Sequence, residues 1–268
     1  MLYSDLQSNQ LRENQSKDNQ PVVVFLHGLL GNGTDWQSCL SQLPDYSTLT
    51  LDLAGHGKSV DILCTCFTDC CEQIETAILN RVGASTPILL VGYSMGGRIA
   101  MVGCANGHFA RLNVKGLVVE GGNFGLSNQA DKSARLLNDR HWATRFESEP
   151  IEQVLVDWYQ QAVFSSLNHE QRQHLVEKRS NNNGKSIARM LLATSLSRQS
   201  DIRSALNNAN LPIRYLCGEK DKKFHQLAKE SGLDYRVIAQ AGHNAHQEQP
   251  TAFVQELISF IETRVSEL

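Results

Sequence analysis

Short, nearly unbroken apolar runs recur along this chain, each closed by a glycine or a turn, and longer mixed segments separate them. VVVFLHG (22–28), STLTLDL (47–53), PILLVG (87–92), VKGLVVEGG (114–122), IRYLCG (213–218) and YRVIAQAG (235–242) are predicted strands. They do not alternate apolar with polar positions, as strands covered by helices on both faces need not. Between them, 67–82 and 95–106 carry helical spacing, and 250–265 is an amphipathic helix with Pro250 near its start. Strands alternating with helices predict a doubly wound, mostly parallel α/β sheet. The rhythm breaks between 123 and 205, where polar helical patterns and the turn signal SNNNG (180–184) replace strand-like runs. Eight arginines (135, 140, 145, 172, 179, 189, 198 and 203) and two of the three tryptophans, Trp142 and Trp158, fall there. A helical lid over 123–205, inserted into a core of 1–122 and 206–268, is the simplest account.

Composition narrows the function classes. With 268 residues, 41% of them hydrophobic and 20% charged, the chain can bury a full core. A net charge of −3 argues against a nucleic-acid binder, which is normally basic. The first twenty residues are polar and read as neither signal peptide nor anchor, and no run reaches the ~18 apolar residues of a spanning helix. The expected location is therefore cytoplasmic, without a membrane partner. Seven cysteines include the cluster Cys64, Cys66, Cys70 and Cys71. An odd count without a secretory signal predicts reduced thiols, and the cluster lacks the paired spacings of a zinc site, so no metal is expected.

The chemistry starts at VGYSMGGR (91–98), where Gly92, Ser94 and Gly96 give the spacing G-x-S-x-G between a predicted strand and a predicted helix. That context makes Ser94 a candidate elbow nucleophile or base; a serine in an ordinary tight turn is the bland alternative. Asp221 follows the strand IRYLCG, and His243 follows YRVIAQAG. Both stand where a doubly wound sheet binds its ligands, in the chain order serine, acid, histidine. His246 is the nearest competitor of His243 for the base, and Asp221 or His243 alone could be a solvated turn or helix-start residue. Backbone N–H groups of Leu29, in FLHGLLGNGTDW, and of Met95 are the candidate oxyanion hole, with His27 holding the loop. DLAGHGKS (52–59) lacks the spacing of a phosphate-binding P-loop, so no nucleotide is implied.

Taken together, HGLLGNGTDW, DLAGHGKS, GYSMGGR, GEKD and AGHNAH resemble the α/β-hydrolase superfamily over essentially the whole chain. The lid segments VEGGNFGL, DRHWATRF, WYQQAVFSSL and RSNNNG, with LVGYSMGGRIAM, look like the 2-succinyl-6-hydroxy-2,4-cyclohexadiene-1-carboxylate (SHCHC) synthase family of menaquinone biosynthesis. That resemblance implies a lyase rather than a hydrolase: a ring proton is abstracted and pyruvate is eliminated. It makes Ser94 a general base activated by His243 and Asp221, and it requires no cofactor. It also implies a polycarboxylate small-molecule substrate held by Arg98, Arg135 and Arg179, with Tyr93 and Trp158 lining the pocket, in a monomer or weak homo-oligomer. Arginine suits that task because its planar fork binds carboxylates in bidentate fashion. The cysteine cluster matches no family motif. Two other readings stay open: an esterase, thioesterase or carbon–carbon bond hydrolase with Ser94 as nucleophile, and a non-catalytic binding protein on the same fold.

Overall fold

The apolar runs pair into a single sheet in a computed structural model that describes residues 1–9 and 20–265. Its strands are β1 (Ser4–Gln7), β2 (Val22–Leu26), β3 (Thr48–Leu51), β4 (Pro87–Tyr93), β5 (Asn113–Glu120), β6 (Ile213–Gly218) and β7 (Asp234–Ile238). They lie in the order β1-β3-β2-β4-β5-β6-β7, parallel throughout except for β1. The polar stretch 10–19, part of the segment read as neither signal nor anchor, lies outside the described residues. Among the described residues no helix is long and apolar enough to cross a membrane, and no group of three His, Cys, Asp or Glu side chains is placed to hold a metal.

Strand β1 had no apolar run to announce it. Only Ser4 of its four residues is buried, because it pairs antiparallel at the sheet's edge and shows the rest to solvent. Elsewhere the predicted strands overrun the observed ends by two to four residues at several places, including 27–28 and 121–122. Apart from the exposed Ala239 and Gln240, the surplus residues at the carboxyl ends are buried all the same. They fold over the carboxyl edge of the sheet as the loops that carry the candidate site.

Period-two side-chain alternation divides the sheet between two apolar layers. Val22, Val24 and Leu26 face one layer, where they meet α2 (Phe67–Val82) and α3 (Met95–Ala105) through Ile74, Ile78 and Ile99. Val23 and Phe25 face the other, closed by α1 (Gln37–Leu40) and the C-terminal α11 (Pro250–Phe260) through Phe253 and Leu257. Helix α2 stops at Gly83, whose φ of 80° only glycine adopts without strain.

Between β5 and β6 the chain makes α4 (Gln129–Ser148), α5 (Ile151–Trp158), α6 (His169–Arg179), α7 (Gly184–Ala193) and the short α8 (Arg203–Asn207). Asparagines start three of them: Asn128, Asn168 and Asn183 accept backbone N–H groups at the heads of α4, α6 and α7. The asparagine run in SNNNG is therefore a helix start as well as a turn. These helices share their own apolar cluster, built on Trp142, Phe146, Leu155, Tyr159 and Ile187, with Leu30 as the core's contribution. After β6 come α9 (Lys222–Ser231) and α10 (Ala245–Glu248).

The cysteine expectation needs correction. Cys64 and Cys70 form a disulfide with Cα atoms 5.9 Å apart, because the segment before α2 folds back against that helix's first turn. Cys39, Cys66, Cys71, Cys104 and Cys217 are free thiols, and burial pushes Cys104 and Cys217 up to about 12.

Candidate active site

Ser94 sits between the last residue of β4 and the first of α3 with φ 50°, a region most side chains avoid. The neighbourhood holds it there. Its N–H donates to the Glu120 carbonyl at 2.7 Å, and its carbonyl accepts from Arg98 N at 2.9 Å. Strand and helix interlock through glycines: a Cβ on Gly92 would stand 2.7 Å from Gly97 Cα, and one on Gly97 would stand 2.7 Å from Gly92 O. A Cβ on Gly96 would collide with the carbonyls of Leu26 and His27 at the end of β2.

The predicted partners converge on this elbow from the carboxyl ends of β6 and β7. His243 Nε2 lies 3.4 Å from Ser94 Oγ, and His243 Nδ1 lies 2.6 Å from Asp221 Oδ2. The imidazole is caged by Phe224, with ring centroids 4.7 Å apart, by Tyr93 at 5.3 Å, and by Gly121, where a Cβ would meet Cε1 at 2.8 Å. A base on one loop, oriented by a carboxylate on the previous one and reaching a hydroxyl, can activate that hydroxyl toward a proton or a carbonyl. His246, the competitor, is turned away into the core, where its Nδ1 lies 2.7 Å from Glu120 Oε2.

Leu29 and Met95 share the cavity wall with Ser94. Met95 opens α3, so its N–H has no partner within the helix. The loop carrying Leu29 is pinned by two buried histidines. His27 Nε2 accepts from Leu53 N at 2.9 Å, and His56 Nε2 accepts from Leu30 N at 3.1 Å. Their Nδ1 atoms face the Gly28 and Ala54 carbonyls, so each ring is neutral with its proton on Nδ1. Burial pushes His27 down to about 4 and, with the nearby His27 ring, His56 down to about 3. His56 escaped the sequence reading; its signal is the histidine between two glycines in DLAGHGKS.

A cavity of about 360 Å³ opens over the serine, with Arg98, Arg135 and Lys223 in its wall and, among the described residues, no carboxylate. Arg98, on α3, bonds the neutral Gln199 at 3.2 Å; burial and then Arg135 lower its pKa to about 9. Arg135, on α4, is tied to Asp139 at 2.8 Å. Trp158 joins the wall, stacked edge-on against Trp142 with centroids 5.0 Å apart.

Two residues expected in the wall are elsewhere. Tyr93 lies beneath His243 with its hydroxyl bonded to Asn244. Arg179 is buried away from the cavity, with Nη2 2.7 Å from Asp35 Oδ2. Lys178 approaches the other oxygen of Asp35 at 3.0 Å. Burial would raise the Asp35 carboxyl, but these cations hold it well below the usual carboxylate range. A guanidinium committed to Asp35 fastens α6 to the loop after β2 and is not a free clamp in this state. In its place the wall contains Lys223, which the sequence reading passed over.

A model described as the alpha/beta hydrolase fold matches residues 21–250. A 2-succinyl-6-hydroxy-2,4-cyclohexadiene-1-carboxylate synthase from Serratia proteamaculans is 44% identical over 247 residues, covering 92% of this chain and 95% of the relative. A protein described as a putative synthase of the same kind, from Haemophilus influenzae, is 46% identical over 235 residues, covering 88% and 95%. Among solved structures, MenH from S. aureus superposes with a TM-score of 0.86 at 25% identity, covering 98% of this chain and 99% of its own. A thermophilic esterase from Thermogutta terrifontis, at TM-score 0.76 and 20% identity over 98% and 94%, shares the fold.

Proposed function

The chain belongs to the alpha/beta-hydrolase fold family and, within it, to the SHCHC synthases, and we propose that it eliminates pyruvate from 2-succinyl-5-enolpyruvyl-6-hydroxy-3-cyclohexene-1-carboxylate. In this reading it is a carbon–oxygen lyase of menaquinone biosynthesis, working in the cytoplasm, with 123–205 as its lid. Ser94 Oγ takes a proton from the ring while His243 Nε2 receives the serine's own proton, and Asp221 stabilises the imidazolium. The electron pair left on the ring is delocalised onto the succinyl carbonyl oxygen, where the N–H groups of Leu29 and Met95 meet it. As that pair returns, a second ring double bond forms, the carbon–oxygen bond to the enolpyruvyl group breaks, and pyruvate departs as its enolate. Arg98 and Arg135 hold carboxylates of the substrate.

The supporting observation is the cavity wall: cations on three elements and, among the described residues, no carboxylate, directly over a serine–histidine–aspartate array. A neutral ester gains nothing from such a wall, whereas a polyanion does. The test is pyruvate release from substrate generated in situ, followed with the cyclohexadiene absorbance. Acceleration above the enzyme-free rate is expected; none overturns the reading. The triad's hydrolase chain order favours the runner-up, in which Ser94 is a nucleophile. A burst of p-nitrophenol from p-nitrophenyl acetate, without pyruvate release, is its signature.

A further inference from the structure

Lys223 stands at the second position of α9, the end of a helix where a cation is disfavoured by the partial positive charge of the free N–H groups. No acidic residue occupies that first turn to offset it. The nearest carboxylate, Asp221, is committed to His243 Nδ1 at 2.6 Å and to Phe224 N at 3.4 Å. Among the described residues no ion pair engages the Lys223 amine, whose Nζ lies 5.5 Å from the Phe224 ring centroid at the cavity. Burial lowers its pKa and Arg135 lowers it further, with Asp221 acting the other way and offsetting only part of the two. Lys220 and Lys222 are close in sequence, yet of the three only Lys223 enters the wall. A cation that no ion pair holds among the described residues, set in a cavity wall beside a second cation, marks a local conflict of the kind found where a ligand supplies the missing partner.

The geometry points to Lys223 as a substrate-binding residue: the third carboxylate anchor, completing with Arg98 and Arg135 a three-sided cationic frame around Ser94. This rests on the elimination proposed above, whose substrate carries three carboxylates: one on the ring, one on the succinyl chain and one on the enolpyruvyl group. The frame draws one member from α3, one from α4 and one from α9. Asp139, behind Arg135, and Asp221, beside Lys223, offset part of it. Arg179, the third cation the family resemblance implied, is held by Asp35, so the third anchor falls to a residue beside the triad.

The test compares Lys223→Gln and Lys223→Arg with the wild-type enzyme, after equal thermal midpoints show that all three are folded. Loss of one charge-assisted contact should raise KM for the full substrate about ten- to a hundred-fold in Lys223→Gln, with kcat within about threefold. Lys223→Arg should recover most of that loss. A KM within twofold of wild type in Lys223→Gln overturns the assignment. So does a fall in kcat at unchanged KM that Lys223→Arg does not rescue, which makes the lysine a support of Asp221 and His243 instead. A titration independent of turnover separates this from the reaction itself: quenching of the protein's tryptophan fluorescence, with Trp158 in the cavity wall, by 2-(3-carboxypropanoyl)benzoate, an unreactive aromatic dicarboxylate. Binding about tenfold weaker in Lys223→Gln supports the anchor even if no pyruvate is released, in which case only the elimination fails. Equal affinity together with an unchanged KM overturns the anchor, whereas equal affinity with a raised KM places Lys223 on the enolpyruvyl carboxylate that this probe lacks.

Discussion

The histidines of two histidine–carboxylate pairs lie three residues apart, His243 in the loop after β7 and His246 in α10, and the local geometry of the pairs is nearly the same. His243 Nδ1 meets Asp221 at 2.6 Å, and His246 Nδ1 meets Glu120 at 2.7 Å. What differs is the far side of each ring. His243 Nε2 looks across 3.4 Å to Ser94 Oγ and into the cavity. The His246 ring is walled in by Trp36, at a centroid distance of 4.3 Å, and by Tyr93 at 4.7 Å, and its Nε2 faces only the Gln247 side chain at 3.2 Å. A buried acid behind an imidazole does not by itself make a general base; a reachable hydroxyl and room for a substrate do. The enclosed pair serves architecture. Glu120 accepts from His246 N at 3.1 Å, while its carbonyl accepts from Ser94 N at 2.7 Å, so one residue ties the elbow to the histidine loop.

The most drastic way to break this comparison is His243→Gln. It should reduce kcat by about a hundred- to ten-thousand-fold with no shift in urea midpoint; a variant that keeps its turnover overturns the role given to the open pair. Glu120→Ala should do the reverse. Leaving the buried His246 N–H and ring nitrogen without their carboxylate partner costs about 1–3 kcal/mol of unfolding free energy for each, read from urea titration. Turnover per folded molecule should fall far less than in His243→Gln.

Arg98 carries the distinction to the cations, since it faces the cavity with only neutral Gln199 as partner while Arg179 is locked to Asp35. Arg98→Ala should lose roughly 2–4 kcal/mol of transition-state stabilisation in kcat/KM at an unchanged unfolding midpoint. The smallest effect belongs to the neutral pair His27 and His56. Their folded pKa values, about 4 and about 3, lie below the unfolded value, so the unfolded chain takes up protons first as pH falls. Their contribution is complete well above pH ~6.5 and declines below it, by roughly 1 kcal/mol for each histidine at pH 5.5. His27→Asn, compared at pH 7.5 and 5.5, should flatten that decline in urea titrations.

Much of this molecule was written locally. Buried parallel strands need continuous apolar runs, and a strand–turn–helix elbow needs its glycines, so β2, β4, β6 and the Ser94 elbow could be read directly. His243 and Asp221 were legible because strand ends set their positions. Strand β1 was not, because an edge strand with one buried residue leaves almost no pattern. The ion pair that removes Arg179 from the cavity joins residues 144 positions apart, which local spacing cannot encode. The disulfide was missed because cysteine spacing does not specify which thiols meet. Lys223 was hidden because Lys220 and Lys222 stand beside it and nothing in their spacing tells which of the three enters the cavity wall. The clue available was its place at the start of a helix, where a cation is unwelcome.

The glycine interlock at the elbow has a bearing on how this scaffold can change. Gly92, Gly96 and Gly97 leave no room for even a methyl group, and the obstructing atoms are backbone, which cannot step aside. Natural drift and laboratory selection alike are barred from these positions, however strong the demand for a new substrate. The cavity wall is under no such ban: Arg135, Trp158 and Lys223 are side chains on helices whose backbones do not touch the elbow. New specificities on this frame should therefore arise by exchanging the wall around an unaltered hinge of strand and helix, with the serine inherited unchanged.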